Sequence, residues 1–93
     1  MTVQITHGRN FVGSGERSGL FLQEWKKQSG EEFPLCAVAN CTREATDGAH
    51  VKIVDNTNAG NRVFVVPMCH DHNKVGEHEL RFKPGTRGME VQH

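Results

Sequence analysis

Cys36-Ala37-Val38-Ala39-Asn40-Cys41, then Gly48-Ala49-His50-Val51, then Pro67-Met68-Cys69-His70-Asp71-His72-Asn73: these three pieces decide how the chain is read. They hold all three cysteines of its 93 residues. Two cysteines form a C-x4-C knuckle. The third opens a C-x2-H pair 28 positions after Cys41. Two close pairs of soft donors separated by a loop of this length are what a tetrahedral structural zinc site requires. The reading is a Cys3His site made of Cys36, Cys41, Cys69 and His72. His70 competes with His72 for the fourth place. A donor one residue after a cysteine points away from a shared ion, whereas one three residues on, in a first helical turn, returns to the same face, which favours His72.

A chain this short allows one domain, residues 1–93, and a limited core. Such a core contributes about 3–5 kcal/mol. A structural zinc contributes on the order of 10–16 kcal/mol of apparent binding free energy. The metal-free chain is therefore expected to lose its fold. The odd cysteine count argues against a disulfide framework. Residues 1–6 lack a basic leader and a long apolar run, and no segment reaches the length of a membrane span. A cytoplasmic location without membrane contact, where thiols stay reduced, is the expectation.

Lysine plus arginine equals aspartate plus glutamate, 11 of each, and the formal charge is zero. A zinc ion on three thiolates would make it slightly negative. The basic excess of a typical nucleic-acid binder is missing. Lys26-Lys27 and Glu31-Glu32 read as solvated surface.

Along the chain, Val3 to His7 alternates as a short strand, and Gly8 to Gly19 reads as a loop, so residues 1–17 form strand plus loop. The loop's Gly-Ser-Gly has neither the lysine of a P-loop nor dinucleotide spacing, and no nucleotide cofactor is expected. Ser18 caps a helix to Ser29, with Gly30 in the left-handed position beyond it, so the helical segment is 18–30. Leu20, Phe21, Leu22 and Trp25 supply its buried stripe, with Trp25 as core anchor. Gly48 to Asp55 and Arg62 to Val66 form a hairpin about the turn-rich Asp55–Asn61. Pro67 stops the ladder, and a short helix runs from Cys69 to Gly76. Residues 34–76 are thus the zinc-binding core: knuckle, strand, strand, helix. Residues 77–93 are an extension, with Glu79–Phe82 and Gly88–Val91 as a late hairpin. The fold class is α+β, a zinc-stapled ββα, treble-clef-like core with the N-terminal helix packed on it.

Cys36-x4-Cys41, Ala49-His50-Val51 and Val66-Pro67-Met68-Cys69-x2-His72-Asn73 resemble the HNH endonuclease family over residues 36–74. The chain also looks like small stand-alone bacterial proteins with a tryptophan-bearing helix before the same knuckle, a match reaching back to about residue 18. The HNH resemblance implies a water-activating histidine at His50 and a catalytic divalent ion beside it. Ala49 stands where the family's common acidic ligand stands. Phe64 occupies the second-strand position usually held by asparagine. Asn73 occupies that of the catalytic metal's histidine. One catalytic position of three is kept. His70, Asp71, Glu77 and His78 are the residues from which a second metal site would have to be rebuilt, and His7, His78 and His93 are given no role. The expectation is a zinc-binding, HNH-like module without catalysis that binds a protein or nucleic-acid partner. The alternatives are a metal-dependent HNH nuclease, with a second divalent ion and His50 as catalytic residue, and a zinc-supported nucleic-acid binder using Lys52, Arg62, Lys74, Arg81, Lys83 and Arg87.

Overall fold

A computed structural model of the chain describes residues 2–10, 18–52, 63–74 and 79–91. Its elements are β1 (Thr2–Gln4), β2 (His7–Asn10), α1 (Ser18–Ser29), β3 (Asp47–Lys52), β4 (Val63–Met68), α2 (His70–Asn73), β5 (Glu79–Arg81) and β6 (Arg87–Val91). The strands form one antiparallel sheet in the order β1-β6-β4-β3-β2-β5. The protein is a small α+β domain dominated by that sheet, with two helices. The expected turn at 55–61, the end of the second helix at Gly76, and Arg62, Glu77, His78 and His93 lie outside the described residues.

β3 and β4 are central and pair over six positions, from Asp47↔Met68 to Lys52↔Val63. Both of their faces are covered. Ala49, Val51, Phe64, Val66 and Met68 pack with Cys36, Ala37, Val38, Cys69 and Phe82 on one side. Val65 packs with Leu22, Trp25 and Met89 on the other. Burial on both faces explains why residues 63–68 read as a continuous apolar run rather than an alternation. On the second side, α1 lies across β3, β4 and β6. Trp25, 2% exposed, anchors it, and its indole N–H donates to the Arg87 carbonyl at 2.8 Å.

Five local expectations need correction. The segment Val3–His7 is not one strand, because β1 ends at Gln4 and β2 begins at His7. β2 occupies the start of the stretch read as a loop. Gly8 is suited to its place there: a Cβ would come within 2.9 Å of the Lys52 carbonyl oxygen. Leu20 is 65% exposed and does not join Leu22 and Trp25 in the core. β5 and β6 do not form a hairpin; β5 pairs with β2, and β6 pairs with β1 and β4.

Pro67, the fifth case, does not stop the ladder but sits within β4, opposite Gly48. Its backbone polar groups face away from β3. The Pro67 carbonyl accepts the Ala37 N–H at 2.8 Å, while the next carbonyl, that of Met68, accepts Thr46 N–H on the β3 side at 3.1 Å. The missing proline N–H therefore interrupts no β3–β4 bond. β6 pairs with β4 only over Val63–Val65, and beyond that point the knuckle takes its place.

Gly48 sets the distance between sheet and helix. A Cβ there would lie 2.6 Å from the Leu22 nitrogen and 2.8 Å from the Phe21 carbonyl carbon, both backbone atoms. Overpacking against an immovable neighbour costs about 1–3 kcal/mol or more. Gly48→Ala should lower stability by at least that amount in urea denaturation. Gly19→Ala, in α1 with nothing near its Cβ position, should leave stability unchanged or raise it by about 0.5–1 kcal/mol.

Candidate metal centre

The knuckle is a tight antiparallel turn. Leu35 bridges to Glu44, Cys36 N–H donates to the Arg43 carbonyl at 2.8 Å, and Cys41 N–H donates to the Val38 carbonyl at 3.1 Å. Asn40 takes the left-handed conformation, φ 67°, which asparagine tolerates better than most residues. Both thiols are thereby turned to the same side. β4 then delivers Cys69, which precedes the first turn of α2 in an extended conformation. His72, in that turn, comes back over it.

The four donor atoms of Cys36, Cys41, Cys69 and His72 all lie within 4.8 Å of one another. Cys41 Sγ is 4.0 Å from Cys69 Sγ. His72 Nδ1 is 3.5 Å from Cys36 Sγ and 3.2 Å from Cys69 Sγ. A tetrahedron with metal–sulfur bonds of about 2.3 Å and a metal–nitrogen bond of about 2.1 Å has edges of about 3.6–3.8 Å. The observed separations bracket that figure, so the group has the dimensions to hold one metal ion. His70 is not part of it. Its Nδ1 lies 3.1 Å from Asp47 Oδ2, and its side chain is 72% exposed.

Burial pushes the Cys36 thiol up to about 11, whereas a hydrogen bond from the Arg43 backbone lowers that of the more exposed Cys41. A thiol that ionises so reluctantly alone gives up its proton when a cation supplies the compensating charge.

Asp47 was not singled out by the sequence reading, yet it organises the floor of the centre. It is buried, at 7% exposure. It accepts hydrogen bonds from Asn73 Nδ2 at 2.9 Å and Thr46 Oγ1 at 3.1 Å, and it holds His70. Burial raises its carboxyl, but the bonds from Asn73, His70 and Thr46 outweigh that and leave it below the usual aspartate value. Asn10 supports the same helix, donating from Nδ2 to the Asn73 carbonyl at 3.1 Å. Arg43, two residues beyond the knuckle, pairs with Asp71, which also meets Lys74 at 3.5 Å. A signal for Asp47 was present. Counting back by two from Ala49 and Val51 puts residue 47 on the inner face, and a carboxylate there needs partners.

His50 lies elsewhere. It is 8% exposed and shares its face of β3 with Gly48, toward α1. Its ring meets Phe21 edge-on, with centroids 4.4 Å apart and planes at 86°. Ala49 and Val51 face the metal-holding group; His50 faces the opposite way. Phe64 is fully buried on the cluster side. His50 and Asn73 are thus not brought together. No protein-family model, no curated protein and no solved structure matches the chain.

Asp47 ties α2 to β3, so Asp47→Asn should cost about 1–3 kcal/mol. Its folded pKa is depressed, so its contribution is complete above the ordinary aspartate value of about 3.9 and is lost as pH falls through the lower folded value. The stability gap between wild type and Asp47→Asn, followed by denaturation, should close as the solution is made more acid than the ordinary aspartate value of about 3.9.

Proposed function

We propose that the chain is a zinc-stapled, HNH-like binding module without nuclease activity. The single observation that carries this reading is the division of the sheet. The four metal donors gather on one face, while His50 is covered by Phe21 on the other. A water-activating histidine has to reach a scissile phosphate and a metal-bound oxygen together, and His50 is turned from the donors. The amide of Asn73 is committed to Asp47. The order knuckle, β3, β4, α2 supports a ββα, treble-clef core widened by four further described strands.

Three thiolates and an imidazole favour zinc over hard cations such as Mg2+ or Ca2+. A site closed by four protein ligands is structural, because it leaves no open position for substrate. Reduced thiols fit a cytoplasmic protein, and no described helix is long and apolar enough to cross a membrane. The partner in this reading is a macromolecule, protein or nucleic acid.

One observation favours the nuclease as a second reading. Asp47, His70 and Asn73 bring a carboxylate, an imidazole and an amide together at α2, beside the metal-holding group. They are donors of the kind a second divalent ion would use.

Elemental analysis should find one zinc per chain, retained in His70→Ala and largely lost in His72→Ala. Removing the ion with a strong chelator should unfold the protein, read as a red shift of Trp25 fluorescence and loss of near-ultraviolet dichroism. A chelated protein with an unchanged spectrum would overturn the staple.

Plasmid incubated with Mg2+, Mn2+ or Ni2+ should remain supercoiled. Nicking that disappears in His70→Ala, or in His50→Ala, with metal content and fold unchanged would establish the nuclease instead.

A further inference from the structure

The three sulfurs of the metal-holding group are sheltered to different degrees. Cys36 is fully buried and Cys69 is 4% exposed. Cys41, at the end of the knuckle, is only half-buried. An open hollow of about 380 Å3 lies in front of it, lined by residues 39–43 and, from α2, by Asp71 and His72. Cys36 and Cys69 are not among its lining residues. A small solute arriving from water through this hollow therefore meets one sulfur of the three. The knuckle fixes that sulfur in place: Asn40, at φ 67°, makes the bend, and the Cys41 N–H is tied to the Val38 carbonyl at 3.1 Å.

A second sulfur stands close behind. Cys69 Sγ is 4.0 Å from Cys41 Sγ. A disulfide bond is about 2.05 Å long, so the two have to close by about 2 Å. Cys69 stands where the backbone yields more readily. It leads into a four-residue helix with no buried residue. Cys36, by contrast, is locked in the knuckle, its N–H donating to the Arg43 carbonyl at 2.8 Å. A solvent-accessible cysteine with a resolving thiol beside it is the arrangement in which oxidation ends at a reversible disulfide instead of climbing to the higher sulfur acids.

We propose that Cys41 is a site of oxidation by hydroperoxides, with Cys69 as its resolving thiol, and that the disulfide they form expels the metal. The Cys41 thiolate attacks one peroxide oxygen. The O–O bond breaks, an S–O bond forms, and the departing oxygen takes up a proton. The Cys69 thiolate then attacks the Cys41 sulfur. An S–S bond forms, the S–O bond breaks, and hydroxide leaves as water with a second proton. Two thiolates, one hydrogen peroxide and two protons thus become one disulfide and two waters, the sulfurs losing the two electrons that the peroxide gains. Cys36 and His72 remain, one donor from each turn, where a closed structural site needs four. The ion leaves, and the staple between the two turns goes with it. The inference rests on the metal reading and adds to it a means by which an oxidant switches the fold off.

Treating the zinc-loaded full chain with a small molar excess of hydrogen peroxide tests it. Zinc should appear in solution, read with a chromogenic indicator, as Trp25 fluorescence shifts to the red. A non-reducing digest should contain Cys41 joined to Cys69, and dithiothreitol with added zinc should restore the fluorescence. Before any peroxide is added, a substoichiometric maleimide should label Cys41 ahead of Cys36 and Cys69. Cys41→His keeps four donors but removes the accessible thiol. Once elemental analysis shows that it holds zinc, peroxide should release that zinc on the order of tenfold more slowly than from wild type. If the variant holds none, the labelling order and the wild-type digest decide. Zinc that stays bound in peroxide, a first label on Cys36 or Cys69, a Cys36–Cys41 link, or equally fast release from zinc-loaded Cys41→His overturns the proposal. Wild type purified without zinc would instead defeat the metal reading, and the labelling order and the sulfur–sulfur link would still decide the roles of Cys41 and Cys69.

Discussion

Two short turns, far apart in the chain, each have to present two donors to one point a few ångströms wide. That demand governs the rest of the structure. The knuckle meets it through the left-handed Asn40 and the closing bond from Cys36 to Arg43. The second turn meets it by placing Cys69 just before α2 and His72 within it. What holds the two together is the β3–β4 pair, whose last strand leads directly into Cys69. Neither turn is stable by itself. A four-residue helix with no buried side chain has almost no cohesion of its own. Asp47, Asn10 and the Arg43–Asp71 pair supply the attachment that its length denies it.

The central strands carry a different environment on each face. One carries Ala49, Val51, Phe64, Val66 and Met68 against Cys36 and Cys69 of the metal-holding group. The other accepts α1 at Gly48, closer than any side chain would permit. His50 and Asp47 are three positions apart on the same strand, and the pleat sends them to opposite sides. That parity, rather than distance along the chain, separates the histidine singled out for catalysis from the polar cluster at α2. A functional reading based on motif spacing alone does not register it.

Much of the local structure was legible. The donor quartet, the preference for His72, the bounds of α1, the left-handed Gly30 and the buried Trp25 follow from spacing and from the conformational habits of single residues. What escaped was set by partners distant in sequence. Residues 7–10 look like the start of a loop because Gly8 and Asn10 have little strand propensity; they form β2 because β3 and β5 lie on either side. β5 and β6 look like a hairpin because they are adjacent in the chain, but the neighbours that bury them are β2 and β4. Pro67 looks like a breaker until its backbone is seen to face the knuckle. Asp47 has no motif about it, and its role appears only when α2 is laid against β3.

The strand order has a kinetic corollary. β6, the last of the described strands, lies between β1 and β4, so among the described strands β1 pairs with β6 alone. The segment that holds the four donors, by contrast, closes within residues 36–72. Loop closure is cheaper over short separations, and local contacts form sooner than distant ones. All four donors are therefore available once residue 72 has been made, before the strand that completes the outer sheet.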